Sequence, residues 1–209
     1  MNTSGQSDRK EKHYIFYKES IKKYSPFSVK ALRWNSKESQ LVRFRSLLRL
    51  GDFQNKSLLD VGCGIADLFF FLKENSFNIK YTGIEILKEF FDTAKIRLNG
   101  YENINLINND FFNHKFTNSY DFTICNGSLN LKEDDNYRLL FDFINKSISI
   151  TNNAIGVTLL KEADGYIKDE RLFHYDQKIV ESLLNEMNIK NYKIFSDYAD
   201  NDFTVLIYL

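Results

Sequence analysis

Proline is almost missing from this chain: Pro26 is the only one in 209 residues. Any motif that needs a proline later in the chain therefore has none to use. Cysteine is nearly as scarce. Cys63 and Cys125 lie far apart, in no metal-ligand spacing and too few for a disulfide framework, so they fit a reducing compartment and no metal is expected. Net charge is lacking too, with 28 Lys+Arg against 28 Asp+Glu. No basic field is available to hold a nucleic-acid backbone, which argues against a nucleic-acid partner. Long apolar runs are also absent. The longest strongly apolar stretch, Leu68-Phe69-Phe70-Phe71-Leu72, is far below the roughly 20 residues that span a bilayer. The segment from Met1 to Lys12 is polar and has no signal-peptide core. The expected location is the cytoplasm, with no membrane partner.

What is present is enough for a packed core: 43% hydrophobic residues in one chain of this length suit a single α/β domain without staples. Residues 1–11 are polar and aperiodic, the pattern of a disordered tail. From there to about Leu50 the pattern is helical, with Leu41, Phe44, Leu47 and Leu48 on one face and Asn35 with Glu38 as a capping-box-like start. Residues 1–50 thus read as an N-terminal helical extension and 51–209 as the main domain. Beyond Gly51, short apolar runs alternate with helical segments. Strands are predicted at 58–62, 79–85, 104–108, 121–125 and 154–160. Helices are predicted at 66–74, 87–98 and 137–150, with a further one capped by Asp176. The end of the chain reads as two strands, 192–196 and 203–208, joined by a polar turn, hence a hairpin. The alternation implies a parallel sheet and the hairpin one antiparallel strand. The expected order of the seven strands is 3-2-1-4-5-7-6.

The first strand runs into Leu58-Leu59-Asp60-Val61-Gly62-Cys63-Gly64-Ile65-Ala66-Asp67. A strand that feeds a glycine turn and then a helix lets the backbone approach a ligand closely. A dinucleotide fingerprint would need glycine where Asp67 stands, and a carboxylate at a helix start repels pyrophosphate. No Gly-Lys-Ser/Thr follows, so the turn is no P-loop. Alone, a Gly-x-Gly turn is only a tight turn. The next strand ends in Glu85, about twenty residues on, the spacing at which a carboxylate meets ribose hydroxyls. The third ends in Asn108-Asn109-Asp110-Phe111, and the fourth in Ile124-Cys125-Asn126-Gly127. A single acid at a strand end is usually a cap. Four polar strand ends at one sheet edge are hard to obtain from caps alone.

This set resembles the class I S-adenosylmethionine-dependent methyltransferases, with Ala66 in place of the commoner third glycine. The resemblance covers residues 58–209 and implies a Rossmann-like class I methyltransferase fold, a seven-stranded, mostly parallel sheet with helices on both faces. It implies S-adenosyl-L-methionine as cofactor. Asp60 and the backbone of Gly62, Cys63 and Gly64 would hold its methionine moiety. Glu85 would bind the ribose hydroxyls, Ile86 would lie against the adenine, Asp110 would receive the adenine amino group with Phe111 nearby, and Asn126 would line the floor beside the sulfonium. The flanking runs Trp34-Asn35-Ser36, Asn126-Gly127-Ser128-Leu129-Asn130 and Arg171-Leu172-Phe173-His174-Tyr175-Asp176 look like a little-characterised bacterial branch of that family. Arg43 reads as a clamp for the cofactor carboxylate or as a surface arginine on an amphipathic helix. Trp34 reads as a cofactor contact or as core.

Methyl transfer needs a base only where the acceptor arrives protonated. The candidates lie in the segment 161–175 after the fifth strand. His174 is the first choice, the alternative being a histidine that packs the loop between Phe173 and Tyr175. Asn130, Tyr166, Tyr175 and Tyr198 are read as shaping the acceptor site, while His13 and His114 have no recommending context. Amino-group methyltransferases acting on adenine or glutamine typically carry Asn/Asp-Pro-Pro-aromatic after the fourth strand; this chain has no proline there. Cys125 lacks the proline of a cytosine-carbon nucleophile. The expected reaction is methyl transfer to an oxygen, nitrogen or sulfur of a small metabolite. RNA- or protein-directed transfer and a non-catalytic cofactor-binding scaffold are the alternatives.

Overall fold

The computed structural model describes residues 4–165 and 169–209. Seven strands form one sheet: β1 (Lys56–Val61), β2 (Ile79–Glu85), β3 (Ile104–Asn108), β4 (Tyr120–Asn126), β5 (Thr151–Leu160), β6 (Tyr192–Phe195) and β7 (Asp202–Tyr208). Their order is β3-β2-β1-β4-β5-β7-β6, as the sequence predicts. The five strands β3, β2, β1, β4 and β5 pair in parallel, and β7 pairs antiparallel with both β5 and β6. The short turn between β6 and β7 dictates this, because so few residues can only reverse the chain.

Among the described residues six α-helices surround the sheet: α1 (Ser4–Lys23), α2 (Lys37–Leu47), α3 (Asp67–Glu74), α4 (Lys88–Arg97), α5 (Asn136–Ile148) and α6 (Gln177–Glu186). One core layer packs Phe44 and Leu47 of α2 and Phe69 and Leu72 of α3 on Leu58, Phe122 and Ile124. On the other face Leu140, Phe143 and Ile144 of α5 and Val180 and Leu184 of α6 cover Leu59, Val157 and Val205. A smaller cluster of Ala31, Ile65, Leu87 and Phe90 seats the C-terminal half of α1 through Tyr17 and Ile21. Among the described residues no helix is long and apolar enough to cross a membrane.

Two local expectations need correction. The polar stretch read as a disordered tail through Glu11 is helical from Ser4 onward. Arg9 and His13 stand on the side of this helix that borders the small cavity, where a packed helix usually shows an apolar stripe. The cap of α2 is Ser36, not Asn35. Ser36 Oγ accepts from Ser39 N–H at 3.0 Å and Ser39 Oγ accepts from Ser36 N–H at 3.1 Å, closing a serine–serine box. Asp176 caps α6 as expected, its carboxylate accepting from the N–H groups of Lys178 and Ile179.

The extension is tied to the last strand by a buried ion pair. Arg43 of α2 meets Asp202 at the start of β7, and both are nearly inaccessible to solvent. Removing one partner strands a buried charge, so Asp202→Ala is expected to destabilise the protein by about 3 kcal/mol. Adding Arg43→Met should recover part of that loss. Urea unfolding of the single and double variants measures both.

Candidate active site at the carboxyl edge of the sheet

The turn after β1 is built around left-handed backbone. Gly62 and Gly64 have φ of 69° and 56°, and Ala66, the residue in the third-glycine place, has φ of 63°. Gly62 is also pinned sterically: a Cβ there would stand 2.1 Å from Ser128 Oγ. That hydroxyl donates to the Val61 carbonyl at 2.9 Å, so the loop after β4 locks onto the end of β1. The N–H of Gly64 donates to Glu85 Oε2 at 2.9 Å, and Leu87 N–H donates to Oε1 at 2.8 Å. Glu85 thus shapes the turn while its carboxylate faces the sheet edge. Burial pushes its pKa up to about 6, against the pull of those N–H donors.

Asp60 is buried one residue before the end of β1 and accepts from the Tyr81 hydroxyl at 2.7 Å. Burial raises its pKa to about 7 despite that hydrogen bond. A desolvated carboxyl of this kind gains from an incoming cationic group. Cys63 is buried against Gly83 and Tyr81, and burial pushes its thiol well up, so it is a packing residue of the turn. Asp67 does not present a free negative charge, because Arg97 Nη1 at 2.8 Å and Gln40 Nε2 at 2.9 Å hold it.

Two adjoining cavities follow the strand ends. The larger, about 640 Å³, is bordered by Asp60, Gly62, Cys63, Gly64, Asn126 and Trp34, and reaches Asn130 and His174. This volume lies within the usual range for small-molecule sites. The smaller, about 80 Å³, holds Glu85, Ile86, Asp110 and Phe111. Gly62, Gly64 and Ser128 border both. Asn126 is oriented by Thr158 Oγ1, which donates to its Oδ1 at 2.7 Å. Asn130 fastens three segments: its Oδ1 accepts from Leu160 N–H at 3.0 Å, its carbonyl from Phe173 N–H, and its own N–H reaches Gly127 O.

Several residues play other parts than the sequence suggested. Arg43 borders the large cavity, yet it is 6% exposed, paired with Asp202 and laid 4.6 Å over the Trp34 ring. Its charge is already matched, so it positions Trp34 instead of standing as a free carboxylate clamp. Tyr175, expected at the acceptor site, is 2% exposed and turned away from both cavities, with its phenol donating to the Leu129 carbonyl at 2.9 Å. It is a structural post. Tyr198 is engaged with Thr204 Oγ1 at 2.8 Å and borders neither cavity. Tyr166 lies outside the described residues.

The inner face of α1 also reaches the site. Arg9, His13 and Tyr17 recur every four residues and all border the small cavity, with Tyr17 and Phe16 bordering the large one. Burial, reinforced by Arg9, lowers the His13 pKa to about 3, so this imidazole is neutral near physiological pH. The i, i+4, i+8 spacing was the available signal. Among the described residues no group of three or more His, Cys, Asp or Glu is placed to hold a metal ion.

A family model described as a methyltransferase domain matches residues 52–166. Among solved structures, a magnesium protoporphyrin IX methyltransferase from Synechocystis PCC 6803 with bound SAH is 14% identical. That match covers 82% of each chain with a TM-score of 0.63. A SAM-dependent methyltransferase from Aquifex aeolicus is 18% identical over 88% of this chain and 98% of its own, also at 0.63. At such identities the likeness is one of fold. No curated protein matches the chain.

Asp60 and Glu85 give the site a pH signature. Their folded-state pKa values, about 7 and about 6, lie above the ordinary 3.8 and 4.5. The folded state therefore binds more protons, and their contribution to stability is full below pH 4 and lost as pH rises through 6 to 7. The melting temperature of the ligand-free protein is expected to fall between pH 5 and 8, and Asp60→Asn should flatten that fall. Scanning calorimetry across this range decides it; an unchanged slope in the variant would remove Asp60 as the cause.

Proposed function

Because the chain belongs to the methyltransferase-domain family, we propose that it binds S-adenosylmethionine across the carboxyl edge of β1, β2, β3 and β4 and methylates a small molecule. The observation that carries this reading is the convergence of Asp60, Glu85, Asp110 and Asn126, one from each of four strand ends, on two cavities that meet at the Gly62–Gly64 turn. The residues fit the cofactor. The glycine turn offers close backbone approach where a Cβ is excluded, and buried Asp60 suits a cationic ligand group. The Glu85 carboxylate lies at the ribose position, and Asp110 stands as acceptor for an adenine amino group.

When bound, S-adenosylmethionine supplies a methyl group activated on a sulfonium. The protein's own work is orientation and exclusion of water. Holding donor and acceptor in line is worth an effective molarity of about 10⁵ M or more in favourable cases. Asp60 and the turn backbone fix the methionine end, Glu85 the ribose, and Asp110, Ile86 and Phe111 the adenine. Trp34, Asn126, Asn130 and His174 form the walls toward the acceptor. His174 is the group there that would take the proton when the acceptor oxygen, nitrogen or sulfur arrives protonated.

A small-molecule acceptor is supported by the shape and charge of the site. The large cavity is concave, roofed by Phe16 and Tyr17 of α1, and walled by Leu160, Lys161 and Leu172. Positive and negative groups alternate at its mouth, where Arg33 pairs with Asp169 at 3.3 Å. Among the described residues that border it, Arg33, Arg43 and Lys161 are interspersed with Asp60, Asp67, Glu162, Asp164 and Asp169, a mixed lining that favours a small molecule over a nucleic-acid backbone.

Isothermal titration with S-adenosylmethionine tests the cofactor assignment. Glu85→Ala should weaken binding by about 1–3 kcal/mol, the range for losing hydrogen bonds to a charged group; no heat of binding with wild-type protein would end the proposal. His174→Ala should lower turnover at least tenfold in a labelled-methyl assay against metabolite extracts while leaving cofactor affinity unchanged. Intact turnover in that variant would reduce His174 to loop packing.

A further inference from the structure

The N-terminal helix is attached in two different ways. Its C-terminal half is held by apolar packing: Tyr17 and Ile21 join Ala31, Ile65, Leu87 and Phe90, with the Tyr17 ring edge-on to Phe90 at 5.3 Å. Two side chains reinforce this end. Ser20 Oγ donates to the Ala31 carbonyl at 2.8 Å, and Arg33 Nη1 donates to the Phe16 carbonyl at 3.2 Å. The N-terminal half has polar ties. Arg9 Nη1 lies 3.3 Å from Asp110 Oδ1, and Arg9 Nε lies 3.7 Å from Glu133 Oε1. The Arg9 guanidinium sits 4.4 Å over the Phe112 ring. Lys12 Nζ reaches Glu133 Oε2 at 3.0 Å and Asp134 Oδ1 at 3.6 Å.

The carboxylate that Arg9 holds is the one at the end of β3. Asp110 accepts from Phe112 N–H at 2.9 Å, which fixes its carboxylate, while its contacts to Arg9 are long, 3.3 and 3.5 Å. The space left between α1 and the strand ends is about 80 Å³. That is room for two or three waters at roughly 30 Å³ each, against the roughly 300 Å³ at which small-molecule pockets begin. With α1 in this position the edge of β2 and β3 has no room for a nucleoside.

We propose that α1 is a latch over the nucleoside half of the cofactor site, with Arg9 holding the Asp110 carboxylate that an adenine amino group must take. The inference rests on the cofactor reading above. Entry of the adenosine exchanges the Arg9–Asp110 contact for an adenine–Asp110 contact, and the N-terminal half of α1 moves away while its C-terminal half stays seated on Phe90. The Arg9–Asp110 contact is long and the Arg9 side chain stays 20% exposed, while the incoming amino group leaves the buried carboxylate paired, so this exchange needs little driving force. Closure and binding compete, so whatever weakens the latch tightens the cofactor, and by linkage the cofactor loosens the latch.

Calorimetry with S-adenosylhomocysteine on the full chain tests this, because that ligand carries no net charge and its own attraction to the site changes little with salt. Arg9→Gln is expected to lower its Kd about fivefold at low ionic strength, the size of relieving one part-exposed pair. Glu133→Gln, which removes the anchor of both Lys12 and Arg9 without touching Asp110, should act in the same direction. Raising sodium chloride to about 0.5 M screens the latch, so wild-type affinity should rise toward that of the variants, while the variants change little. Amide exchange in the N-terminal half of α1 should quicken in both variants and, for wild-type protein, on adding ligand. Equal or weaker binding by both variants would overturn the latch and leave the cofactor assignment standing. Binding by the variants alone would support both, and binding by none of the proteins would remove the cofactor reading and the latch with it.

Discussion

Everything at this sheet edge depends on one buried carboxylate accepting two backbone N–H groups. Glu85 takes the N–H of Gly64 with one oxygen and that of Leu87 with the other. The first bond holds the turn after β1 in left-handed backbone, and the second fixes the start of α4. An acid placed at the end of the neighbouring strand therefore determines the shape of the turn on which a ligand must rest. Without it the N–H of Gly64 would be left in a desolvated site, a cost comparable to a lost hydrogen bond. The burial that makes these bonds strong also holds the Glu85 and Asp60 pKa values up, so shaping the turn and tuning its charge are one physical event.

Around that carboxylate the site is an interlock of loops rather than a row of independent groups. Ser128 fills the space a Gly62 side chain would need and binds the Val61 carbonyl. Asn130 ties the loop after β4 to β5 and to the segment before α6. Arg43, anchored by Asp202, carries the Trp34 ring. The walls of the large cavity are thus set by residues tied to neighbouring segments of the chain, so their positions depend on one another.

The sheet was legible in the sequence because its signals are local. Ile79–Glu85 and Ile104–Asn108 are short apolar runs ended by polar residues, and the few residues between β6 and β7 permit one geometry. Asp60 and Glu85 were legible for the same reason, each following directly on an apolar residue of its strand. What could not be read were contacts made across long separations. Arg9 meets Asp110 over 101 residues of chain, and nothing near either residue marks the pairing. The inner face of α1 compounded this: Arg9 and His13 replace the apolar stripe that announces a packed helix, so the segment resembled a loose tail. Tyr175 was misassigned because a phenol that supports a backbone carbonyl and a phenol that lines a pocket have the same sequence. Arg43 likewise reads identically with and without Asp202.

The placing of β7 has a consequence for how the molecule is made. The last strand of the chain is inserted between β5 and β6, and its first residue, Asp202, is the partner of Arg43. Ribosomes deliver the N-terminal residues first, at about 5–20 residues per second. Until β7 is made, then, the β5 edge stays open and the α2 guanidinium lacks its counter-charge. Only when β7 clears the exit tunnel are both supplied, in a single step. The roof that Phe16 and Tyr17 give the cavity is therefore made well before the strand that anchors its wall.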